Sequence, residues 1–397
     1  MVKPLDDIRV LDLTHVYNGP YATLMLALMG AEVIKVEPPK TGEMARRIFK
    51  VRGSDESYPF IMLNTNKKGV TLNLKTERGR ELFKELAKQS DIVVENFAVG
   101  VMDHLGLGYS VLKELNPSLI YATSTGFGLT GPYSNYPAYD PVIQAMAGIM
   151  AATGYPDKPP VKAGPPVVDI LGGIHLCAGI LSALHMRGRT GKGTIVETSL
   201  YDAALGPIIT QFSYYLATGK TGRFGNTAPG RAFSPYNTYA AKDGYILLLC
   251  ADEVKWQALC RVMQREELID DPRFRTNADR SKNCDEIDAI VEEWTSQRTR
   301  QEVMELFASA DITCGIVQAV PEVLHDKHLR ERKAIQDIIH PTAGKVSVLG
   351  GPLRFDGQAP VVENPSPTLG QHNDIVYGKL LGLSARELAG LKEQGVI

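Results

Sequence analysis

An aspartate stands at the head of a long apolar stretch, Val167 to Arg187, which reads VVDILGGIHLCAGILSALHMR. Ile170, Ile174, Cys177, Ile180, Leu181 and Leu184 recur at helical spacing, so the stretch reads as one largely buried helix. Pro165 and Pro166 precede it, and proline disfavours helix in the residue before it, so the helix is expected to begin close to Asp169. A carboxylate there meets the positive end of the helix dipole and free backbone N–H groups, which favour its ionised form. Two employments fit. As an N-cap it turns its oxygens onto its own helix and is worth about 1 kcal/mol. As a nucleophile it points one oxygen into a cleft. Gly172 and Gly173 leave the first turn without side-chain bulk, so another group could approach closely. On this stretch alone capping is the commoner reading.

Asp140 is a second acid at a helix start. Tyr139-Asp140-Pro141 leads into PVIQAMAGIMAA, with Asp in the cap position and Pro at the first helical one. Capping alone accounts for it. His325 and His328 stand three apart on an expected helix, but no third ligand or HExxH accompanies them, so they read as solvated histidines and no metal is expected. His15 follows a strand end and serves a ligand or the local backbone equally well. No G-x-S-x-G marks a serine nucleophile. Arg46-Arg47 and Lys67-Lys68 are small basic pairs that a solvated face explains, although both follow strand-end loops where an anion could sit.

The elements that must position these residues alternate. Strands are expected at Ile8–Leu13, at AEVIKVEPP, at GVTLNL, at DIVVENF and at SLIYATSTGFG, with helices near Tyr21–Met29, Glu77–Lys88 and Ser110–Leu115. This order predicts an α/β fold with a doubly wound parallel sheet, and ligands on such sheets bind at the carboxyl ends of the strands. Those ends are THVYNGP, EPPKTGE, ENFAVG and GFGLTGP. They lack G-x-G-x-x-G after the first strand and lack a P-loop lysine, which excludes the common dinucleotide and nucleotide sites. Further on, a helix is expected at Pro141–Ala152, a strand at Thr194–Thr198 and a helix at Leu200–Thr218. Tyr236–Ala241 and Gly244–Cys250 read as a hairpin. Helices follow near Lys255–Gln264, Cys284–Ser296 and Arg300–Ala310, with a last hairpin over Pro341–Phe355. Three segments result: 1–224 as a large Rossmann-like domain, 225–330 as a smaller α+β domain, and 331–397 returning to the large one.

The chain has 397 residues, 44% hydrophobic and 22% charged, with a net charge of −2. That balance argues against a general nucleic-acid binder. Five cysteines without CxxC spacing read as reduced thiols of a cytoplasmic protein. The first residues show no basic and apolar leader, and the uncharged run Ile170–Met186 falls short of the roughly 20 residues that span a bilayer, so no membrane is expected.

Several stretches together resemble the class III CoA-transferases, the family of formyl-CoA transferase and carnitine CoA-transferase. They are VLDLTHVYNGPYAT, GAEVIKVEPP, NKKGVTLNLKTERGRELFKELAKQSDIVVENF, LNPSLIYATSTGFGLTGPY, YDPVIQAMAGIM, the Asp169 stretch with TGKG after it, and PTLGQHND. The likeness spans essentially the whole chain and looks most like the oxalate and small-dicarboxylate branch. It implies that Asp169 is a catalytic nucleophile with Asp140 in a supporting acidic position. It implies CoA contacts at Val16, Tyr17, Leu72, Asn73, Lys75, Asn96, Phe97, Ala98, His104 and Tyr139. Basic residues of formyl-CoA transferase are replaced here by Pro38, His104 and Pro137, and Arg46, Arg47, Lys67 and Lys75 are the candidates to meet the CoA phosphates instead. Tyr17, Arg46 and Arg231 are candidates for selecting the acceptor carboxylate. Asn226 to Arg231 sits where relatives carry a glycine loop over the active site. The resemblance further implies an acyl-CoA thioester as substrate, no permanently bound cofactor, a small carboxylic acid as acceptor, and an interlocked homodimer. α-Methylacyl-CoA racemase shares the fold, but its histidine is replaced here by Tyr139, a poor base with an ordinary pKa of ~10.

Overall fold

Val10 and Leu11 are both fully buried, and they pack into different cores on opposite faces of one strand. That is the signature of a central strand covered on both sides. The computed structural model describes residues 3–397. A six-stranded sheet is formed by β1 (Arg9–Asp12), β2 (Glu32–Glu37), β3 (Lys67–Thr71), β4 (Ile92–Glu95), β5 (Ile120–Thr125) and β6 (Ile195–Ser199). Its order is β3-β2-β1-β4-β5-β6 and every pairing is parallel. The chain winds outward one way through β3 and then restarts beside β1 at β4. The doubly wound sheet expected from the sequence is therefore present, with its switch point between β1 and β4.

Two helix layers cover it. Helix α1 (Asn18–Leu28) is buried on most of its surface and joins one core through Ala22, Leu26 and Ala27. Helix α2 (Glu77–Lys88) is amphipathic. It is capped by Thr76, whose hydroxyl accepts the Gly79 N–H, and it buries Leu82, Phe83, Leu86 and Ala87 in the other core.

The next helices depart from the sequence reading. α3 (Asp140–Met146) stops before Gly148, which takes φ +87° and separates it from α4 (Ile149–Ala152), so the one expected helix is two. Helix α5 (Val167–Thr190) begins two residues before Asp169, and its cap position is Pro166. Asp169 is thus inside the first turn rather than its cap. α5 is also longer than its uncharged run. Among the described residues it is the one helix long and apolar enough to cross a membrane, while Leu176, Cys177, Ile180 and Ala183 pack it into the sheet core. The Leu200–Thr218 stretch divides into α6 (Leu200–Ala203) and α7 (Ile209–Thr218) around Gly206-Pro207, because proline removes an N–H and disfavours helix before it.

The chain forms two units. The first comprises the residues up to Ala147, Gly164–Leu205 and Leu324–Ile397, and the second Gly148–Ala163 with Gly206–Val323. The second holds an antiparallel sheet of β7 (Tyr236–Ala241), β8 (Gly244–Leu249) and β9 (Thr313–Ile316), with Trp256, Phe274 and Phe307 in its core. β9 escapes the sequence reading because it is four residues long with a central glycine. In the first unit β10 (Ile335–His340) and β11 (Gly344–Leu349) pair around Pro341–Ala343, so the expected last hairpin starts earlier and turns at its supposed first strand. His325 and His328 fall on two separate short helices, with Asp326 capping the second.

Candidate active site

A cavity of about 460 Å³ opens at the carboxyl ends of β1, β4 and β5, at the switch point. β1 delivers His15, Val16 and Tyr17; β4 delivers Asn96, Phe97 and Ala98; β5 delivers Ser124 and Thr125. Asp169 and Tyr139 complete the wall.

The β1 end is held by buried charge. Asp12 lies at the strand's last position, wholly buried. Its Oδ1 accepts the N–H and hydroxyl of Thr14, and its Oδ2 accepts the Thr23 hydroxyl at 2.7 Å and Lys67 Nζ at 3.0 Å. Lys35, also wholly buried, donates to the Thr14 carbonyl. Burial raises the Asp12 carboxyl, but Lys35, Lys67 and the two threonines outweigh it and hold the group well below the carboxylate range. Burial pushes the His15 imidazole down to about 4, with Lys35 adding to the effect, so His15 is neutral. Its backbone is clamped by Asn96, which accepts the His15 N–H at 2.8 Å and donates to its carbonyl at 3.0 Å. Lys67, a candidate for a CoA phosphate, is sealed in this cluster and is withdrawn from that role.

Asp169 is positioned by helix-on-helix contact. α1 lies so close to α5 that a Cβ on Gly173 would sit 2.5 Å from the Asn18 carbonyl oxygen. A Cβ on Gly172 would meet Asn18 and Leu200 at 2.4 Å. The glycines thus admit α1 rather than a ligand. Asn18 Nδ2 donates to the Asp169 carbonyl at 3.1 Å. The free N–H groups of the first turn are taken by Asp140, whose Oδ2 accepts from Val168 at 2.8 Å and from Asp169 at 3.2 Å. Asp140 Oδ1 accepts from Gln144 at 2.6 Å. Asp140 therefore caps, as expected, but it caps α5 rather than its own helix.

Burial, followed by the negative charge of Asp140, raises the Asp169 carboxyl to about 7. This corrects the expectation that the helix start keeps it fully ionised: those donors serve its neighbour. Tyr17 shares the wall, and burial together with the Asp169 charge pushes its phenol up.

Of the residues singled out from the sequence, Val16, Tyr17, Asn96, Phe97, Ala98, Tyr139 and Asp169 meet in this cavity, with Asp140 directly behind. Four others do not line it. Leu72 is buried in the sheet core. Asn73 bonds the C-terminal segment, donating from N to the Val396 carbonyl at 2.8 Å and from Nδ2 to the Gly395 carbonyl at 3.3 Å. Lys75 and His104 are exposed. Arg46 is corrected: it is buried over the Phe60 ring and paired with Glu37 and Glu56, which leaves its guanidinium committed to the protein. Arg231 belongs to the second unit, where Nη1 pairs with Asp285 at 2.7 Å. Asn18, Met44, Ser124, Thr125 and Tyr136 line the cavity without having been singled out. Of these, Asn18 sits in a strand-end loop that the alternation marks, Ser124 and Thr125 are the last residues of β5, and Met44 and Tyr136 lie beyond the marked stretches, where the sequence carries no signal for them. Among the described residues no group of three or more His, Cys, Asp or Glu is arranged to hold a metal.

Comparison with known proteins adds chemistry to this geometry. The model of CoA-transferase family III matches residues 5–373. A formyl-CoA:oxalate CoA-transferase of Streptomyces avermitilis is 37% identical over 413 residues, covering 100% of both chains. An acetyl-CoA:oxalate CoA-transferase of Acetobacter aceti is 39% identical over 364 residues, covering 91% of this chain and 92% of the relative. A crystal structure of a CaiB/BaiF family protein from Brucella suis superposes with a TM-score of 0.86 at 36% identity, covering 96% of this chain and 100% of that one.

Proposed function

The chain belongs to CoA-transferase family III and is an enzyme, and we propose that it moves CoA from a short acyl-CoA, succinyl-CoA or acetyl-CoA, to a small carboxylic or dicarboxylic acid of the oxalate, malate, citramalate or mesaconate type. The observation that carries the reading is Asp169: a carboxyl raised to about 7, on the wall of a cavity at the switch point, with no N–H of its own turn left to blunt it. A more basic carboxylate is a stronger nucleophile, and a value near 7 leaves a large ionised fraction at neutral pH.

In the proposed cycle the Asp169 carboxylate attacks the thioester carbonyl carbon and the C–S bond breaks. This gives an acyl-aspartyl anhydride and CoA thiolate. The thiolate attacks the Asp169 carbonyl carbon, releasing the donor acid as its carboxylate and leaving an aspartyl-CoA thioester. An acceptor carboxylate attacks that thioester and expels the thiolate again. The thiolate then takes the acceptor's acyl carbon, forming the new acyl-CoA and regenerating Asp169. Two covalent stages replace one direct exchange between poor partners. Asp140 fixes the turn that carries the nucleophile and supplies the charge that keeps it basic. Backbone N–H groups of the strand-end loops are proposed to meet the oxyanions.

Tyr17 is proposed to face the acceptor, with Arg231 as a further contact for a second carboxylate. The CoA moiety is proposed to run past Val16, Asn96, Phe97, Ala98 and Tyr139 and, beyond the cavity, past Asn73 and His104, with Lys75 and Arg47 toward its phosphates; Leu72, buried in the sheet core, is left out of that path. Lys75 and Arg47 are exposed cations. A homodimer in the cytoplasm completes the proposal. The racemase alternative is not favoured: both relatives carry transferase names.

The test is to mix the purified protein with succinyl-CoA or acetyl-CoA and a panel of short carboxylic acids, and to follow new CoA thioesters by mass spectrometry. A new thioester formed by the wild type and not by Asp169→Ala is the expected result. Exchange of an α-proton in a 2-methylacyl-CoA without acyl transfer would replace the transferase reading with the racemase.

A further inference from the structure

Val16 lines the cavity with φ +67°. The left-handed region is unfavourable for a β-branched residue, and such a conformation persists only where the surroundings impose it. The Val16 N–H is held by one buried acid. The Val16 N–H donates to Oε2 of Glu43 at 3.1 Å, and the same oxygen accepts the Ala45 N–H at 2.9 Å.

Glu43 is only 1% exposed. Its own N–H donates to Glu37 Oε1 at 3.0 Å, and Glu37 is gripped by Arg46 through Nε and Nη2, each at 2.8 Å. Its second oxygen, Oε1, is buried without a hydrogen-bond partner among the described residues. A buried carboxylate with an unpaired oxygen destabilises a fold. Here that oxygen and a strained peptide occur together, in a segment that runs directly into Tyr17. On one side of the strained residue His15 is clamped by Asn96, and on the other α1 begins. Rotation of Val16 into ordinary backbone space would therefore swing Tyr17 away from Asp169.

We propose that Glu43 is a positioning residue for the CoA transfer: it holds Val16 in the left-handed conformation and so sets where Tyr17 faces Asp169. This rests on the assignment of the Asp169 cavity as the transfer site. The carboxylate never touches substrate; it acts through one N–H.

Epistasis tests it. Glycine adopts the left-handed region without steric cost, so Val16→Gly removes the need for the anchor. Glu43→Ala is expected to lower kcat by ten-fold or more, and Glu43→Ala/Val16→Gly is expected to recover at least three-fold of that loss. Glu43→Asp, one methylene shorter, supports the same comparison in place of the Ala variant if that variant does not accumulate. Hydrogen exchange of the Leu13–Asn18 peptide, read on the same proteins, should quicken in the single Glu43 variant. A folded Glu43 variant within two-fold of wild type, or a double variant no better than the single one, overturns the proposal. Exchange reads the anchor without any turnover, so a wild type that transfers no CoA counts against the transfer reading and leaves the anchor to be judged by exchange alone, where unchanged protection overturns it.

Discussion

Asp140 Oδ2 accepts the backbone N–H of Asp169 at 3.2 Å, so one carboxylate holds the peptide of another. The pair is close enough for charge to matter and is arranged so that only Asp140 gains hydrogen bonds from the helix start. Their roles separate on that basis: one is stabilised and fixed, the other is left basic.

The first consequence is a pH dependence. With Asp169 near 7 in the free enzyme, kcat/KM should rise through an apparent pKa close to 7 and level off above it. Stability runs the other way. The folded chain keeps a proton on Asp169 that an unfolded chain with pKa ~3.9 has lost, so stability falls as pH rises from about 4 to 7. Asp169→Asn should abolish transfer and raise stability at pH 8 by on the order of 2 kcal/mol, with little change at pH 4. Urea unfolding at the two pH values checks the sign.

Asp140→Asn removes the neighbouring charge and should move the acid limb of kcat/KM to lower pH. The amide also replaces one acceptor oxygen by a donor, facing N–H groups of α5 or the Gln144 amide, at a cost of about 1 kcal/mol. An acid limb that stays near pH 7 in this variant would assign the elevation to burial alone.

Arg46→Ala separates a structural role from a substrate one. Loss of the guanidinium leaves Glu37 and Glu56 buried without their partner, and breaking such a cluster typically costs about 3–5 kcal/mol. The expected outcome is a large fall in the urea midpoint or failure to accumulate. A stable variant whose only defect is a raised KM for the acceptor acid would restore Arg46 to substrate binding.

Gly173→Ala asks whether helix contact sets the nucleophile. Its Cβ would meet backbone at 2.5 Å, which cannot be relieved by turning a side chain. We expect a stability loss of about 1–3 kcal/mol and a drop in kcat larger than that of Gly188→Ala, placed in the same helix where a Cβ meets nothing. Equal kinetics for the two variants would show that α5 tolerates displacement at its head.

The sheet was legible because strand and helix patterns alternate and because each strand end carries small or polar residues. The cavity wall followed from those ends, since a parallel sheet places them together. What the sequence concealed were partnerships between distant residues. Arg46, Lys67 and Asp140 look like exposed basic residues and a local cap. Their partners Glu37, Asp12 and the Val168 N–H lie 9, 55 and 28 residues away, and only the folded chain joins them. Charge type marks such residues as interesting without saying whether solvent, substrate or protein will claim them. Glycine pairs are ambiguous in the same manner: Gly172 and Gly173 signal close approach but not by what.

The Asp12, Lys35 and Lys67 cluster bears on how this chain is able to change over generations. These residues come from three adjacent strands and are all fully buried. Replacing one of them strands the others as uncompensated charge, which is far less tolerable than replacing all three by apolar groups. Single-step drift is thereby closed to the strands that carry the His15–Tyr17 wall. Descendant sequences should keep the trio intact or exchange it as a block, while the exposed positions around the cavity mouth remain free to diversify toward new acids.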